Sequence, residues 1–227
     1  MAKKKESTLI NMLVALLVIA AVSGGVLGLV YGVTKDAIAE VDQKKNEAAI
    51  QAVLPLDGEI TYKADTLSYD YEGTTLTFPC NLAYDANGNF QGAAVKTNEG
   101  GFGGKIDMMV GITADGIIKG VSVLSHSETP GLGANMDKVL VGQFADKKPG
   151  DNFSFEVTKT KEEGKVDAIT AATITSRAFT KAVDKAYQAF EANKAQFMNN
   201  APAEETVSVA EATEEATETM EGGQDNE

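Results

Sequence analysis

An apolar, uncharged run near the N-terminus constrains this chain more than any other feature. No Asp, Glu, Lys or Arg lies between Ser7 and Thr34. A helix rises about 1.5 Å per residue, so about 20 apolar residues cross the hydrocarbon core of a bilayer. The run therefore predicts a transmembrane helix over residues 9–33. A cleaved signal sequence is the alternative, but its apolar core would be shorter than this run.

The charges before this run predict its orientation. Lys3, Lys4 and Lys5 lie immediately before the apolar residues. Positive residues beside a membrane helix favour the cytoplasmic side. We therefore expect residues 1–8 in the cytoplasm, the helix in the cell membrane as a single pass, and the rest of the chain outside the cytoplasm.

The remainder of the chain divides into three predicted segments. Residues 34–58 are largely polar and predict a helical stalk that Pro55 helps to end. Residues 59–200 predict an extracytoplasmic domain. Residues 201–227 are rich in Glu, Thr and Ala; a segment with so few large apolar residues cannot bury enough surface to order itself, and we expect a disordered acidic tail.

The composition excludes several kinds of redox centre and partner. The chain has one cysteine, Cys80, and one histidine, His126. Iron–sulfur clusters, cysteine-rich zinc sites and multi-histidine metal centres need more ligands than these. The net charge of −13 disfavours nucleic acid, whose phosphates repel an acidic surface. If the chain carries electrons, an organic cofactor must do so.

The domain predicts an α+β fold, an antiparallel sheet flanked by helices. Residues 60–118 alternate in polarity and contain turn signals, as strands do. Residues 105–112 and 117–124, joined by Thr-Ala-Asp-Gly, predict a hairpin. We expect a short helix near residues 137–144 and a long one from about residue 176 to 197. One face of the long helix is apolar, formed by Phe179, Val183, Ala186, Tyr187 and Phe190.

A segment rich in small and hydroxyl residues precedes the long helix. Residues 167–176 read Asp-Ala-Ile-Thr-Ala-Ala-Thr-Ile-Thr-Ser. Thr175 or Ser176 would be an acceptable N-cap. A helix N-terminus presents free N–H groups and the positive end of a dipole, which suit a phosphate group. Small residues at Ala171 and Ala172 would let the backbone approach a ligand. A plain helix cap is the alternative interpretation.

This segment resembles the flavinylation motif of the FMN-binding domain family found in RnfG and NqrC. The pattern is Asp-x-x-(Ser/Thr)-Gly-Ala-Thr-x-Thr-Ser, and the chain matches it at Asp167, Thr170, Ala172, Thr173, Thr175 and Ser176. It departs at Ala171, where glycine is commoner; we expect the turn to survive unless it needs a positive φ there. The resemblance implies FMN esterified through its phosphate to Thr173. It also implies a separate flavin transferase, which Asp167 and Thr170 would serve.

A second segment resembles the same family. Residues 128–133 read Glu-Thr-Pro-Gly-Leu-Gly, and Pro-Gly predicts a tight turn with a positive φ at Gly131. In the family this loop approaches the flavin. The resemblance implies that Glu128 and Thr129 hydrogen-bond the ring, that Leu132 covers it, and that Gly131 and Gly133 shape the loop. A purely structural turn is the alternative.

A glycine-rich segment precedes the predicted hairpin. Residues 100–105 read Gly-Gly-Phe-Gly-Gly-Lys. The segment lacks the Lys-Ser/Thr pair of a P-loop and does not open a helix, which excludes nucleotide hydrolysis of that type. Phe102 would pack either on the flavin or on the core. Among the cations, Arg177 is the first candidate for a counter-charge to the phosphate, followed by Lys105 and Lys119.

The resemblance implies a subunit of the RnfG type rather than NqrC, because the chain is short and lacks the larger insertions of NqrC. Such a subunit passes single electrons between other membrane subunits, one of which also carries flavin. Its complex couples electron transfer between ferredoxin and NAD⁺ to Na⁺ or H⁺ translocation. The alternatives are NqrC, a stand-alone extracellular FMN-domain reductase, and a cofactor-free tethered scaffold.

Overall fold

The computed structural model describes residues 9–199; the segments predicted as an acidic tail and as a cytoplasmic N-terminus lie outside these residues. The chain separates into two compact units, the first ending at Ala48 and the second beginning at Ala49. The helices are α1 (Leu9–Val53), α2 (Met136–Val139), α3 (Val141–Phe144) and α4 (Thr173–Asn199). The strands are β1 (Ile60–Tyr71), β2 (Thr74–Asp85), β3 (Phe90–Gly100), β4 (Lys105–Thr113), β5 (Ile118–Ser125), β6 (Val157–Thr158) and β7 (Val166–Asp167).

Helix α1 is one continuous helix of 45 residues. It is the one helix among residues 9–199 that is long and apolar enough to cross a membrane. Its large apolar side chains from Leu9 to Val33 are all exposed to the surroundings, as contact with lipid requires. The predicted membrane segment and stalk therefore form a single element, which ends two residues before Pro55.

The second unit is built on a five-stranded antiparallel sheet in the order β1-β2-β3-β4-β5. The predicted hairpin is confirmed, because Val110 pairs with Val121 between β4 and β5. The turn before β3 forms around Asp85, whose carboxylate accepts the N–H groups of Asn87 and Asn89. Strands that are consecutive in the chain are adjacent in the sheet, as short connections favour.

Alternate residues of each strand point to opposite faces of the sheet, and each face contributes to a buried cluster. Helix α4 buries its apolar stripe, including Phe179 and Phe190, in the larger core with Val95 and Val110. On the other face, Val53 at the end of α1 packs in a smaller cluster. The apolar face predicted for the long helix is confirmed, since all five of its residues are buried.

The connection from β5 to α4 brings the predicted site segments together. The chain leaves β5, makes a 3₁₀ turn over Gly133–Asn135 and continues into α2 and α3. A two-stranded parallel pair of β6 and β7 then leads into the start of α4. The expected single short helix is therefore two four-residue helices, and α4 begins at Thr173 rather than near residue 176.

Candidate functional site

A cleft of about 340 Å³ opens at the start of α4. Three separate segments line it: the glycine-rich segment, the loop after β5, and the residues around the helix start. Its lining residues are Phe102, Glu128, Thr129, Leu132, Gly133, Ala171, Ala172, Thr173, Ile174 and Thr175. The cleft therefore joins all three segments that the sequence singled out.

Thr173 is the first residue of α4 and lies half-buried in the lining of the cleft. The helical ladder begins with the N–H of Ser176, which donates to the carbonyl of Ala172 at 3.0 Å. The N–H groups of the first turn, at residues 173–175, precede this bond and have no carbonyl partner one turn earlier in the helix. An anionic group on Thr173 would thus meet free donors and the positive helix end.

The turn before Thr173 adopts a conformation that glycine prefers. Ala171 has a φ of +62°. The turn does require a positive φ at this position. Ala171 adopts this conformation although its Cβ disfavours it, so the turn forms without glycine. A hydrogen bond from the Ala172 N–H to the Ile169 carbonyl, 3.0 Å long, closes the turn.

The hydroxyls of Thr175 and Ser176 point into the protein. Ser176 Oγ accepts the N–H of Ile169 at 2.9 Å and donates to the carbonyl of Ala172 at 3.0 Å. Thr175 Oγ1 donates to Glu128 Oε2 at 2.5 Å. The expectation that one of them caps the helix is wrong, because α4 begins before both. The hydrogen bonds of these two hydroxyls hold the turn in place from its buried side.

Asp167 and Thr170 lie outside the lining of the cleft. The backbone of Asp167 is held by the side-chain amide of Gln143, which accepts its N–H at 2.7 Å and donates to its carbonyl at 3.1 Å. Its Oδ1 is buried and lacks a hydrogen-bond partner among the described residues. Thr170 is exposed at the surface. Gln143 belongs to no sequence motif, so the sequence alone did not predict its hydrogen bonds to Asp167.

The loop after β5 forms the opposite wall of the cleft. Gly131 has the predicted positive φ, +78°, and its carbonyl accepts the side chain of Asn135 at 2.9 Å. Leu132 lines the cleft and is 42% exposed. Glu128 is buried beneath the wall, and both of its carboxylate oxygens accept bonds from the protein.

The rim of the cleft is apolar. Phe102 is 70% exposed and Ile174 is 57% exposed, and both line the cleft together with Leu132. Exposed apolar residues that surround one cavity are typical of a ligand site. Phe102 therefore belongs to the cleft and not to the core, whereas Met108 is buried in the core. Ile174 occupies the variable position of the motif and was not predicted as a site residue.

The cations proposed as counter-charges lie elsewhere. Lys105 pairs with Asp107 at 2.8 Å and Lys119 with Asp146 at 2.6 Å. Arg177 lines a separate cleft of about 310 Å³. None of the three lines the cleft at the start of α4, and their role as counter-charges to a phosphate stays a prediction. The free N–H groups of the helix start are the donors present there.

The lone cysteine and histidine have structural surroundings. Cys80 is buried in the core, and this burial, with the nearby charge of Asp65, raises the pKa of its thiol to about 12. His126 Nδ1 accepts the N–H of Glu128 at 3.2 Å and so supports the loop after β5. Neither side chain lines the cleft.

The features of the cleft fit FMN. The apolar rim suits the flat isoalloxazine ring, and the start of α4 suits a phosphate monoester. A family model described as the FMN-binding domain matches residues 101–188. This range contains every residue that lines the cleft. FMN is therefore the cofactor of this domain.

Several named proteins are similar to this chain over most of its length. The G subunit of the ion-translocating oxidoreductase complex of Aliivibrio fischeri is 33% identical, over 86% of this chain and 93% of the relative. The corresponding protein of Methanosarcina acetivorans is 34% identical, over 82% and 95% respectively. The G subunit of the Na⁺-translocating ferredoxin:NAD⁺ oxidoreductase complex of Acetobacterium woodii is 34% identical, over 78% and 88%.

A crystal structure of NqrC from Shewanella oneidensis superimposes with a TM-score of 0.46 at 24% identity, over 60% of this chain and 70% of that one. The family assignment therefore rests on the named relatives and on the domain match. Their identity and coverage are high enough to decide it. The chain belongs to the RnfG family, the G subunits of ion-translocating oxidoreductase complexes, and carries their FMN-binding domain.

Proposed function

We propose that this chain holds FMN through a phosphoester to the hydroxyl of Thr173 and uses it as a one-electron carrier in a membrane complex of the Rnf type. One observation carries the proposal: Thr173 begins α4 at the cleft that also holds the free N–H groups of the first helical turn. Bound FMN would supply the one-electron chemistry. The residues of the chain would hold it, orient it and limit its contact with water.

Each wall of the cleft has a separate part in this proposal. The N–H groups at residues 173–175 would bind the phosphate oxygens. Phe102, Leu132 and Ile174 would pack against the ring, because these exposed apolar side chains gain most from being covered. Thr129, which is exposed in the lining, is the polar side chain best able to bond a ring edge. Gly131 and Gly133 would keep its loop in shape.

Attachment would require a flavin transferase. Transfer of FMN from FAD to the hydroxyl of Thr173 forms one phosphoester and releases AMP, so the step balances without a further reactant. Asp167 and Thr170 lie beside the turn but outside the cleft, and Thr170 is exposed. These positions support a role in recognition by the transferase. The covalent bond would keep the cofactor outside the cytoplasm, where a cytoplasmic pool cannot replace it.

The proposed setting follows the relatives. The Acetobacterium woodii relative is named as part of a Na⁺-translocating ferredoxin:NAD⁺ oxidoreductase complex. We propose that the complex of this chain likewise couples ferredoxin:NAD⁺ electron transfer to Na⁺ or H⁺ movement. This subunit would pass single electrons between membrane partners, one of which also carries flavin. By itself it would be a carrier rather than an enzyme.

The test is covalent labelling in chain co-produced with a flavin transferase. We expect flavin fluorescence to remain with the denatured wild-type band, and intact mass to increase by one FMN less water. Thr173→Val keeps the shape but removes the hydroxyl, so it should abolish both signals. Thr173→Ser is the matched control and should retain them. Fluorescence that persists in Thr173→Val, or an unmodified mass for the wild type, would reject the attachment site.

A further inference from the structure

A buried carboxylate lies beneath the cleft. The side chain of Glu128 is 5% exposed. Its Oε1 accepts the backbone N–H of Gly103 at 2.8 Å, and its Oε2 accepts the hydroxyl of Thr175 at 2.5 Å. Hydrogen bonds to a carboxylate are stronger than those between neutral groups. One side chain therefore connects the glycine-rich segment to the first turn of α4.

The glycines around this carboxylate leave room for it, because a Cβ at their positions would overlap Glu128 or its neighbour. A Cβ on Gly101 would lie 2.3 Å from Glu128 Oε1, and one on Gly133 would lie 2.5 Å from Oε2. A Cβ on Gly103 would lie 2.1 Å from the carbonyl oxygen of Ser127. Each of these distances is far inside van der Waals contact. Gly101 and Gly103 of the glycine-rich segment thus leave room for Glu128 and its neighbour Ser127.

We infer that Glu128 is a positioning residue that sets the spacing between two of the three walls of the flavin cleft, the glycine-rich segment and the start of α4. One wall carries Phe102, which is adjacent to Gly103 in the chain. The other begins at Thr173, two residues before Thr175. Both oxygens of Glu128 accept hydrogen bonds within the protein, so its side chain holds these two walls in place. The effect of this spacing on the flavin rests on the proposed function, whereas the hydrogen-bonded connection between the two walls does not.

The connection is tested in full-length protein made without a flavin transferase. Thr175→Val removes one hydroxyl and preserves shape, which frees one oxygen of Glu128. We expect hydrogen exchange of the amides at residues 101–104 to become about tenfold faster, since a bond to a charged group protects strongly. Thr97→Val is the matched control: Thr97 is equally buried and donates one bond to α4, to the Ala182 carbonyl at 3.1 Å. It should leave this exchange within about twofold of wild type.

Two further variants keep the inference open to rejection. Thr175→Ser retains the hydroxyl and should restore slow exchange. If Thr175→Val does not fold, Glu128→Gln preserves the volume and should accelerate exchange at the same residues, though by less, because an amide oxygen is a weaker acceptor than a carboxylate. Unchanged exchange at residues 101–104 in a folded variant of either residue would overturn the inference.

The effect on the cleft is measured in protein co-produced with the transferase. Thr175→Val should raise the native-state fluorescence of the attached flavin about twofold or more relative to Thr97→Val, because looser walls expose the ring to solvent. Faster exchange with unchanged fluorescence would show that Glu128 supports the loop without setting the cleft. A wild-type protein with no flavin on Thr173 would reject the proposed function and leave the exchange result standing.

Discussion

At the scale of single residues, Ala171 carries conformational strain at the start of the site. Its φ of +62° lies in the left-handed region, which costs a residue with a Cβ about 1–2 kcal/mol. The turn that it forms is closed by the backbone bond between Ala172 and Ile169 and held from inside by Ser176. These bonds keep the strained conformation, and the proposed flavin attachment residue, Thr173, follows two positions later.

We predict that Ala171→Gly increases the free energy of unfolding by about 0.5–1 kcal/mol, since glycine relieves the strain but gains entropy in the unfolded chain. The measurement is urea denaturation of the detergent-solubilised chain, followed by circular dichroism. Ala172→Gly is the control. Ala172 is buried and does not have a positive φ, so removal of its methyl group should destabilise the protein. Equal destabilisation by both substitutions would contradict this account of the turn.

At the scale of elements, the end of α1 lies unusually close to the sheet. A Cβ on Gly111 of β4 would lie 2.0 Å from the carbonyl oxygen of Val53, and one on Gly120 of β5 would lie 3.2 Å from its Cα. The backbone of the helix end thus rests where these strands have no side chains. This contact covers part of the face of the sheet opposite α4, around Ala94 and Met109.

We predict that Gly111→Ala lowers the free energy of unfolding by about 1–3 kcal/mol, because the added methyl group forces the helix end away from the sheet. Denaturation under the same conditions measures this change. Gly142→Ala in α3 is the matched control, since a Cβ there meets nothing within 4 Å, and alanine favours a helix over glycine. Gly111→Ala with wild-type stability would show that the close approach is unimportant.

At the scale of the whole molecule, an apolar N-terminal helix is combined with an FMN-binding domain. The helix can cross a membrane by length and composition, and the family is that of a membrane redox complex subunit. Lys3, Lys4 and Lys5 precede the helix. Their position predicts a cytoplasmic N-terminus and an extracytoplasmic domain.

We predict that protease added to intact spheroplasts degrades the domain of this chain, while a cytoplasmic protein in the same cells survives. The apolar helix should keep the full-length chain in the membrane fraction after alkaline extraction, since about 20 apolar residues suffice to span the bilayer. A chain that is protected until the cells are lysed would reverse the proposed orientation. Release of a shortened chain lacking residues 9–33 would instead indicate a cleaved signal sequence.

The local sequence determined the parts that depend on periodicity and local chemistry. The alternation of β4 and β5 and the turn between them predicted their hairpin, because pairing of adjacent strands needs little beyond that pattern. The apolar stripe of α4 predicted its buried face. The uncharged run predicted the helix that could cross a membrane. The motif around Thr173 indicated the family and cofactor, because its residues are close together in the chain and can be recognised without the tertiary structure.

The tertiary structure decided the contacts between segments distant in sequence. The start of α4 at Thr173 depends on the turn held by Ser176, where local rules favoured a later cap. The positions of Arg177 and Phe102 depend on which surfaces meet, which no local pattern encodes. Most of all, Glu128 acquires its role from Gly103 and Thr175, 25 and 47 residues away. A carboxylate needs its partners in space, and only the folded chain brings them together.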